Sequence, residues 1–369
     1  MVGAGLAGAA AAWAASARGL DVIVLEAYES GHRNGSSHGS ARIYRRAYDD
    51  PLYVRLTGQA GELWRSLEAE AGDRLLTMTG GLDFGAVRDP ERLHAVLTGC
   101  GVPAELLAAE AAAERWPQFD FTGAGPVVFH ADAGVLDPDR AITEMLALAE
   151  GRGADVRFGT PVTRLAEAPD GGAVVHTDTG TFTAPVAVVA AGAWIAPLLD
   201  GLVELPPLTV TQQQIFHFAP VQPPREPWPI FICQDEAGYC YGLPGGRDGE
   251  VPGAIKLGEH GPGKVTTAAD RDFRVDAAAR DRVTAFVHDR LPGLNAHAGP
   301  VNEVTCLYTW TANEDFILDR RGPFVIASPC SGHGAKFAPL TGEIIADLAA
   351  GRPSPEPRFT LAAHLAASG

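Results

Sequence analysis

The sequence predicts an α/β protein with two domains, one assembled from separated segments around a parallel sheet and the other rich in β-strands. A glycine-rich turn at residues 3–8 leads into an alanine-rich helix and then a buried strand. A second glycine-rich turn, at 331–334, lies between a strand and a helix near the other end of the chain. Between them, residues 205–264 alternate apolar and polar positions and are interrupted by prolines, a pattern typical of strands. The first domain is therefore discontinuous, with the β-rich segments inserted into it.

Length, charge and cysteine content narrow the class of protein. A chain of 369 residues is long enough for two domains, and its net charge of −16 argues against nucleic acid and anionic membranes as partners. No run of about 18 apolar residues suggests a membrane span, and the apolar N-terminus lacks the basic leader of a signal peptide. The five cysteines are widely spaced without a C-x-x-C pair, so we expect no metal site, no disulfide framework and a cytoplasmic location. We expect a monomer.

The first glycine turn has the G-x-G-x-x-G pattern of a dinucleotide-binding loop. Gly3 permits a tight turn, Gly5 lets the backbone approach a pyrophosphate, and Gly8 lets the helix pack close to the sheet. The amino end of the helix expected at 6–17 offers free N–H groups to the phosphates. Glu26 closes the next strand, where a carboxylate can accept hydrogen bonds from a ribose diol. Together these features predict a bound dinucleotide.

The strand that should precede this turn is short. Only Met1 and Val2 come before Gly3, whereas such a turn normally follows the central strand of the sheet. We therefore expect the first strand of this domain to be missing, which would leave backbone groups of both neighbouring strands unpaired. The corresponding prediction is that about six to ten further N-terminal residues would raise thermal stability or cofactor binding.

A basic, glycine-broken loop follows at residues 35–46. It contains Ser37, His38, Arg42 and Arg45 within an otherwise acidic protein. One interpretation is a solvated loop held by salt bridges. The other is a loop that lies over the cofactor and directs Arg42 and Arg45 towards negative charge.

Apolar periodicity predicts the remaining elements. Helices are expected at about 54–70, 104–115, 138–150, 277–291 and 339–350, with Asp137 and Asp276 as caps. Strands are expected at 22–25, 79–84, 155–158, 173–176, 180–183, 186–190, 210–218, 239–244, 255–260 and 324–327. The small residues that end the strand at 186–190 indicate that another segment or a ligand comes close there.

A cysteine and two lysines stand out in the second half of the chain. Taken alone, a buried cysteine such as Cys306 behaves as a small apolar residue, and a lysine usually extends its ammonium group into solvent. Only three lysines occur in the chain, however, and Lys256 and Lys336 both fall in glycine-containing motifs. We interpret His217, Cys100, Cys233 and Cys330 as structural, and Phe216 and Trp310 as core residues.

Six motifs follow one another along the chain: VGAGLAG at 2–8 with Glu26, SHGSARIYR at 37–45, YGLP at 241–244, KLGEH at 256–260, TCLYT at 305–309 and SGHGAK at 331–336. In these motifs, and over essentially its whole length, the chain resembles the monomeric sarcosine oxidase and N-methyltryptophan oxidase group of FAD-dependent amine oxidases. The resemblance implies a Rossmann-like FAD-binding domain and a β-rich (α+β) substrate domain. We assign the FAD-binding domain to residues 1–78, 138–204 and 306–369, and the substrate domain to 79–137 and 205–305.

The resemblance also implies roles for individual residues. Cys306 matches the cysteine that forms a thioether with the flavin 8α-carbon, so we expect covalently attached FAD. Lys256 matches a lysine that holds a water near flavin N5 and promotes reaction with O2, and Arg42 matches an arginine that assists this reaction. Arg45 and Lys336 match the pair that binds the substrate carboxylate.

Other positions complete the expected site. Tyr241 and His260 match residues that line the amine pocket, and His38 matches a residue near the flavin ring. Ala41 departs from the family, which often has threonine there, and this puts a hydrogen bond near the flavin in doubt. The residues expected to contact the cofactor are Gly3, Gly5, Gly8, Glu26, Ser37, His38, Arg42, Val162, Gly192, Trp194, Cys306, Gly332, Gly334 and Lys336.

The expected reaction is oxidation of a secondary amine, with hydride transfer to flavin and reduction of O2 to H2O2. An N-methyl or cyclic amino acid, such as sarcosine, N-methyltryptophan or pipecolate, would supply the carboxylate and the amine. The cationic pocket would lower the pKa of the substrate amine, so that no strong protein base is required. His260 is either a base or a hydrogen-bonded pocket histidine. The alternatives are a flavin dehydrogenase that uses an acceptor other than oxygen and an impaired, flavin-less paralogue.

Overall fold

The protein has a mixed α/β fold in a computed structural model that describes residues 1–223, 228–236, 238–261 and 263–368. Positions 224–227, 237 and 262, which fall within the predicted β-rich stretch, lie outside the described residues. The helices are α1 (Leu6–Ala17), α2 (Pro51–Ala71), α3 (Pro90–Gly99), α4 (Ala109–Arg115), α5 (Pro138–Gly151), α6 (Ile195–Leu199), α7 (Ala277–Arg290), α8 (Ala338–Ala349) and α9 (Leu361–Ser368).

The strands form several sheets. They are β1 (Ile23–Leu25), β2 (Arg42–Arg45), β3 (Leu76–Met78), β4 (Gly81–Phe84), β5 (Glu105–Leu107), β6 (Val127–His130), β7 (Ala133–Leu136), β8 (Asp155–Arg157), β9 (Val162–Glu167), β10 (Ala173–Thr177), β11 (Thr181–Ala184), β12 (Ala187–Val189), β13 (Thr209–Phe218), β14 (Ile230–Asp235), β15 (Gly238–Pro244), β16 (Ile255–Glu259), β17 (Lys264–Val265), β18 (Asn302–Trp310), β19 (Ile317–Arg321) and β20 (Phe324–Ser328).

The parallel sheet of the nucleotide-binding half has the N-terminus at its centre. β1 pairs with β8 and β12 pairs with β20, both in parallel. Val2 lies between the two pairs and forms parallel bridges to Leu25 and Val189. The Val2 amide donates to Val188 O at 2.8 Å, and the Gly3 amide donates to Leu25 O at 2.8 Å. Residues 1–3 therefore pair with both neighbours at these positions, and the effect of a longer N-terminus stays a prediction.

Helix packing against this sheet depends on small residues. The run Ala9–Ala12 of α1 is fully buried, between α5 and α8. A Cβ atom on Gly342 of α8 would lie 2.5 Å from Ala10 O, which only glycine avoids. The alanine run therefore lets α5 and α8 pack closely against α1. This packing fixes the position of α1 and of the turn that leads into it.

The other part of the fold is a large, mainly antiparallel sheet. Its strand order is β17-β13-β16-β15-β14-β4-β6-β5, and β18 also pairs with β13. Phenylalanine side chains of β4, β13 and β14 pack under it against α7. Because β16 and β18 both pair with β13, Lys256 and Cys306 are carried on the same sheet. The separate three-stranded sheet β2-β7-β3 carries Arg42 and Arg45.

Most predicted elements are present, but the prediction for residues 104–115 is wrong in its first third. These residues form β5, paired with β6, and only then α4, because the edge of the sheet recruits Glu105–Leu107. Helix α3 was not predicted, although Asp89 caps it by accepting from the Arg92 amide and Pro90 occupies its first turn. The predicted caps are confirmed, since the Asp137 and Asp276 side chains accept backbone N–H groups at the starts of α5 and α7.

Among the described helices, none has the length and apolar character needed to cross a bilayer.

Candidate active site

A cavity of about 740 Å³ runs between the parallel sheet and the large antiparallel sheet. Its walls come from both glycine turns, the basic loop at 35–46, β16 and β18. The predicted site residues that line it are Gly3, Gly5, Glu26, Ser37, His38, Arg42, Arg45, Val162, Gly192, Trp194, Tyr241, Lys256, His260, Cys306, Gly332, Gly334 and Lys336. Gly8 lies outside this lining. A Cβ at that position would meet Gly3 O at 1.9 Å, so Gly8 sets the distance between helix and turn.

One end of the cavity is built around Glu26. The carboxylate accepts from the Ala4 amide at 2.8 Å and the Tyr28 amide at 3.1 Å, and His32 lies 3.4 Å away. Burial acts to raise the pKa of Glu26, but the hydrogen bonds from His32, Ala4 and Tyr28 outweigh it and hold this pKa below its usual value. Glu26 is therefore a fixed anion, 7% exposed, with its position set by the first turn.

The first turn closes tightly over the strands. Gly3 has a φ of +94°, and a Cβ on it would lie 2.7 Å from Ala190 O. The Leu6 amide at the start of α1 donates to Ser37 Oγ at 3.1 Å, and a Cβ on Gly5 would lie 3.0 Å from the same oxygen. Ser37 thus joins the basic loop to the amino end of α1.

Arg42 is bound to its own loop. Its guanidinium donates to the carbonyls of Ala41, Ser36 and His38 at 2.7–2.9 Å. Among the described residues no carboxylate lies within 4.0 Å of Arg42, whereas Arg46 at the end of the loop pairs with Asp132 at 3.1 Å. The loop itself is held by Asp139 and Asp248, which accept from the Gly39 and Ser40 amides.

Lys256 is a buried cation in the middle of the cavity wall. It is 4% exposed, and its Nζ donates to Ala41 O at 2.9 Å. Burial, reinforced by the charge of Arg42, lowers the pKa of Lys256 to about 7. Burial, and then the charges of Arg42 and Lys256, lower the pKa of His38 to about 2, so its imidazole stays neutral. The ammonium of Lys256 is therefore poised to titrate near neutrality.

Arg45 and Lys336 lie together without an anionic partner. Both are at least nine-tenths buried, and the described residues place no carboxylate within 4.0 Å of either cation. Lys336 Nζ donates to Tyr48 Oη at 3.1 Å and to His333 O at 2.8 Å, while Arg45 lies 4.6 Å above the Tyr48 ring. Arg45 Nη1 is buried without a hydrogen-bond partner. Burial, and then the charge of Arg45, lower the pKa of Lys336 well below its usual value. An arrangement of this kind can accept an anion.

An aromatic wall lines another part of the same cavity. The Tyr241 and Tyr308 hydroxyls are hydrogen-bonded to each other, and burial raises the pKa of both phenols. The His260 ring lies 4.8 Å from the Tyr239 ring and 6.0 Å from that of Tyr308, and its Nε2 is 3.9 Å from Glu314. The wall is amphipathic and offers ring faces with a few polar atoms.

Cys306 lies on β18, two positions before Tyr308. It is 3% exposed, and its Sγ is 3.6 Å from Ser36 O. All five cysteines are free thiols. No cluster of three or more His, Cys, Asp or Glu side chains that could hold a metal is found among the described residues.

Sequence reasoning did not assign Tyr48 and Tyr308 to the site. Tyr308 stands in the TCLYT motif two positions after Cys306, so alternation along a strand was a usable signal for it. Tyr48 comes three residues after Arg45, and nothing in its local sequence shows that its hydroxyl contacts Lys336 and His333.

Comparison with known proteins gives matches over nearly the whole chain. Residues 1–348 match the family described as FAD dependent oxidoreductase. The chain is 36% identical to monomeric sarcosine oxidase of Streptomyces avermitilis, covering 95% of this chain and 92% of that protein. It is 31% identical to N-methyl-L-tryptophan oxidase of Salmonella agona, covering 95% and 94%. Its fold matches NikD, described as an unusual amino acid oxidase essential for nikkomycin biosynthesis, with a TM-score of 0.86, 28% identity, and coverage of 98% and 96%.

Proposed function

This chain belongs to the family of FAD-dependent oxidoreductases, and on that premise we propose that it oxidises the secondary amine of an N-methyl or cyclic amino acid. The electrons would pass to FAD and then to O2, giving H2O2. The observation that carries the proposal is the buried pair Arg45 and Lys336, beside which the described residues place no carboxylate partner. An amino-acid carboxylate is the anion that completes it.

The described residues fit FAD. The glycine turn approaches closely, with side-chain atoms excluded at Gly3 and Gly5, and Glu26 is a fixed acceptor for a ribose. His38 Nε2 is buried, lines the cavity and lacks a partner. The bound flavin would supply the hydride acceptor, and the protein would supply position and electrostatic field.

The cations are proposed to orient the substrate and to set its protonation. Arg45 has a free Nη1 that can donate to a carboxylate oxygen, and Lys336 adds a second charge. Their positive potential, together with that of Lys256, lowers the pKa of a nearby substrate amine and so favours the neutral form that reacts. Tyr241, Tyr308 and His260 would exclude water around the amine. His260 as a base stays an open alternative.

The proposed reaction with oxygen relies on Lys256. Its ammonium donates to Ala41 O and is buried in the cavity wall near Arg42. The positive charge of Lys256 would stabilise the negative charge that develops on oxygen. We further propose that Cys306 forms the covalent link to FAD, since its thiol lines the cavity and carries no disulfide.

We also propose that the protein is a cytoplasmic monomer with the two domains expected from the sequence. The residue roles assigned above belong to this proposal as well.

A panel of amino acids tests the activity. The purified protein is mixed under anaerobic conditions with N-methyl, cyclic and primary amino acids, and bleaching of the flavin absorbance is followed. We expect bleaching by secondary amino acids and none by their carboxamides. Equimolar H2O2 on admission of air would support the oxidase, whereas bleaching without H2O2 would identify the dehydrogenase alternative. A colourless protein that does not take up added FAD would identify the flavin-less alternative.

A further inference from the structure

Arg271 lies beside Cys306 and makes contacts that the proposed reaction does not use. We propose that Arg271 is a positioning residue for covalent flavin attachment, because it fixes the loop at 33–36 against the strand that carries Cys306. This inference rests on the proposed link between Cys306 and FAD. Within the described residues, the hydrogen bonds of Arg271 involve neither Arg45 nor Lys336, the pair proposed to bind the substrate carboxylate.

The Arg271 guanidinium joins two segments that are distant in sequence. Its Nη1 donates to Arg33 O at 3.0 Å and to Asn34 O at 2.8 Å. Its Nη2 donates to Thr305 O at 2.5 Å and to Thr305 Oγ1 at 2.9 Å. Arg271 is 6% exposed, so these bonds form away from water. One side chain thus binds the loop to β18 at the residue immediately before Cys306.

A second contact lies on the other side of the cysteine. Ser36 Oγ donates to Leu307 O at 2.7 Å, and Cys306 Sγ lies 3.6 Å from Ser36 O. Cys306 is therefore held between two connections, one through Arg271 to Thr305 and one through Ser36 to Leu307. Loss of the Arg271 connection would let the loop and β18 move relative to each other at the thiol.

The charge of Arg271 is not used in an ion pair. Within the described parts of the chain no carboxylate lies within 4.0 Å of its nitrogens, and its Nε is buried without a hydrogen-bond partner. Its guanidinium lies 4.2 Å above the Phe273 ring. Burial lowers the pKa of Arg271, and the opposing influence comes from Cys306.

The attachment step depends on the position of the sulfur atom. A bond forms between Cys306 Sγ and the 8α-methyl carbon, while the thiol and the methyl group each lose a hydrogen. The two electrons and two protons reduce the isoalloxazine ring, and O2 then takes them as H2O2. Displacement of a reacting atom by about 1 Å can cost about a hundredfold in rate. We therefore expect removal of Arg271 to slow attachment by about tenfold to a hundredfold.

The test separates attachment from FAD binding. Wild type, Arg271→Gln and Arg320→Gln are produced under riboflavin limitation, incubated aerobically with FAD, and precipitated with acid at intervals. Flavin in the pellet measures covalent attachment. Arg320 is a matched control, because it also donates to backbone carbonyls, but to those of Gly322, Leu348 and Ala349, which do not flank Cys306. FAD affinity is measured for Cys306→Ala with and without Arg271→Gln, where no attachment at Cys306 can occur.

The proposal predicts slow attachment in Arg271→Gln, a wild-type rate in Arg320→Gln, and equal FAD affinity in the two Cys306→Ala proteins. Attachment at the wild-type rate in Arg271→Gln would overturn it while leaving the tether intact. Equal losses of attachment rate and FAD affinity would also overturn it, because Arg271 would then support FAD binding in general. Wild-type protein whose flavin stays in the supernatant would overturn both this inference and the proposed tether, but not the amine oxidation.

Discussion

Replacing Lys336 by methionine should move stability and activity in opposite directions. In the absence of substrate the Lys336 ammonium is buried beside Arg45, and no carboxylate of the described residues pairs with it. Burial of an unpaired charge costs several kcal/mol, and its two hydrogen bonds, to Tyr48 Oη and His333 O, each return about 1.5–3 kcal/mol. Methionine preserves the length of the side chain, and Tyr48 keeps its hydrogen bond to His333 Nδ1. The balance predicts a gain of about 1 kcal/mol in the free energy of unfolding, or a few degrees in Tm.

The catalytic effect of the same substitution is larger and has the opposite sign. Loss of one partner of a buried charge pair with the substrate carboxylate costs about 2–5 kcal/mol, which corresponds to about 30-fold to several thousandfold in kcat/KM. The variant should also lose its preference for an amino acid over the corresponding carboxamide, since the lost contact is specific to the anion. Steady-state oxygen consumption with both substrates measures this, and thermal unfolding without substrate measures stability.

Lys264→Met is the matched control, because Lys264 is exposed and pairs with Asp272 at 2.6 Å. It should change neither kcat/KM nor substrate preference. The reasoning would be refuted if Lys336→Met lost stability by more than about 2 kcal/mol, the level expected for a well-paired buried group. It would be refuted equally if its kcat/KM stayed within about threefold of wild type.

Four further predictions concern Lys256, Gly8 and Cys306. Lys256→Met should slow reoxidation of the reduced enzyme by O2, and the wild-type reoxidation rate should fall above about pH 7, where the ammonium loses its proton; a pH-independent wild-type rate would contradict this. The pKa of Lys256 is lower in the folded protein than in the unfolded chain, so the unfolded state binds more protons between about pH 7 and pH 10.5. Wild type should therefore gain stability relative to Lys256→Met as pH rises through that window. Gly8→Ala should destabilise the protein by about 3 kcal/mol or abolish FAD binding, since its Cβ would meet Gly3 O at 1.9 Å; an unchanged Tm and FAD content would be incompatible with the structure. Cys306→Ala should release all flavin into the acid supernatant while the folded protein still binds FAD, and colour retained in the pellet would place the link elsewhere.

The nucleotide-binding half could be predicted from sequence because its signals are local. Helix α1 begins and ends where the pattern placed it, Leu6–Ala17, since a glycine turn, an alanine run and Gly19 mark its bounds. The position of Val2 between β1 and β12 was not predicted, because strand pairing depends on residues 23 and 187 positions away. Chain order alone does not show that so short a segment pairs on both sides.

Most residues predicted for the site line one cavity, but their contacts could not be read from the sequence. The family resemblance singles out Arg45 and Lys336 as a pair, but only the placed elements show that no described carboxylate lies beside them. Tyr48 and Arg271 were missed for the same reason: Tyr48 bonds Lys336 from 288 positions away, and Arg271 bonds Asn34 from 237 positions away. Residues 105–107 show a related limit, since a sheet edge overrides a helical pattern.

The central claim is that a secondary amino acid binds through its carboxylate and reduces the flavin. Anaerobic mixing of the holoenzyme with an N-methyl or cyclic amino acid, followed by admission of air, tests it most directly. The account predicts bleaching of the flavin, recovery of its colour in air with H2O2 equimolar to the amine consumed, and no bleaching by the matching carboxamide. Bleaching by the carboxamide as fast as by the acid, or by no amine in the panel, would contradict it.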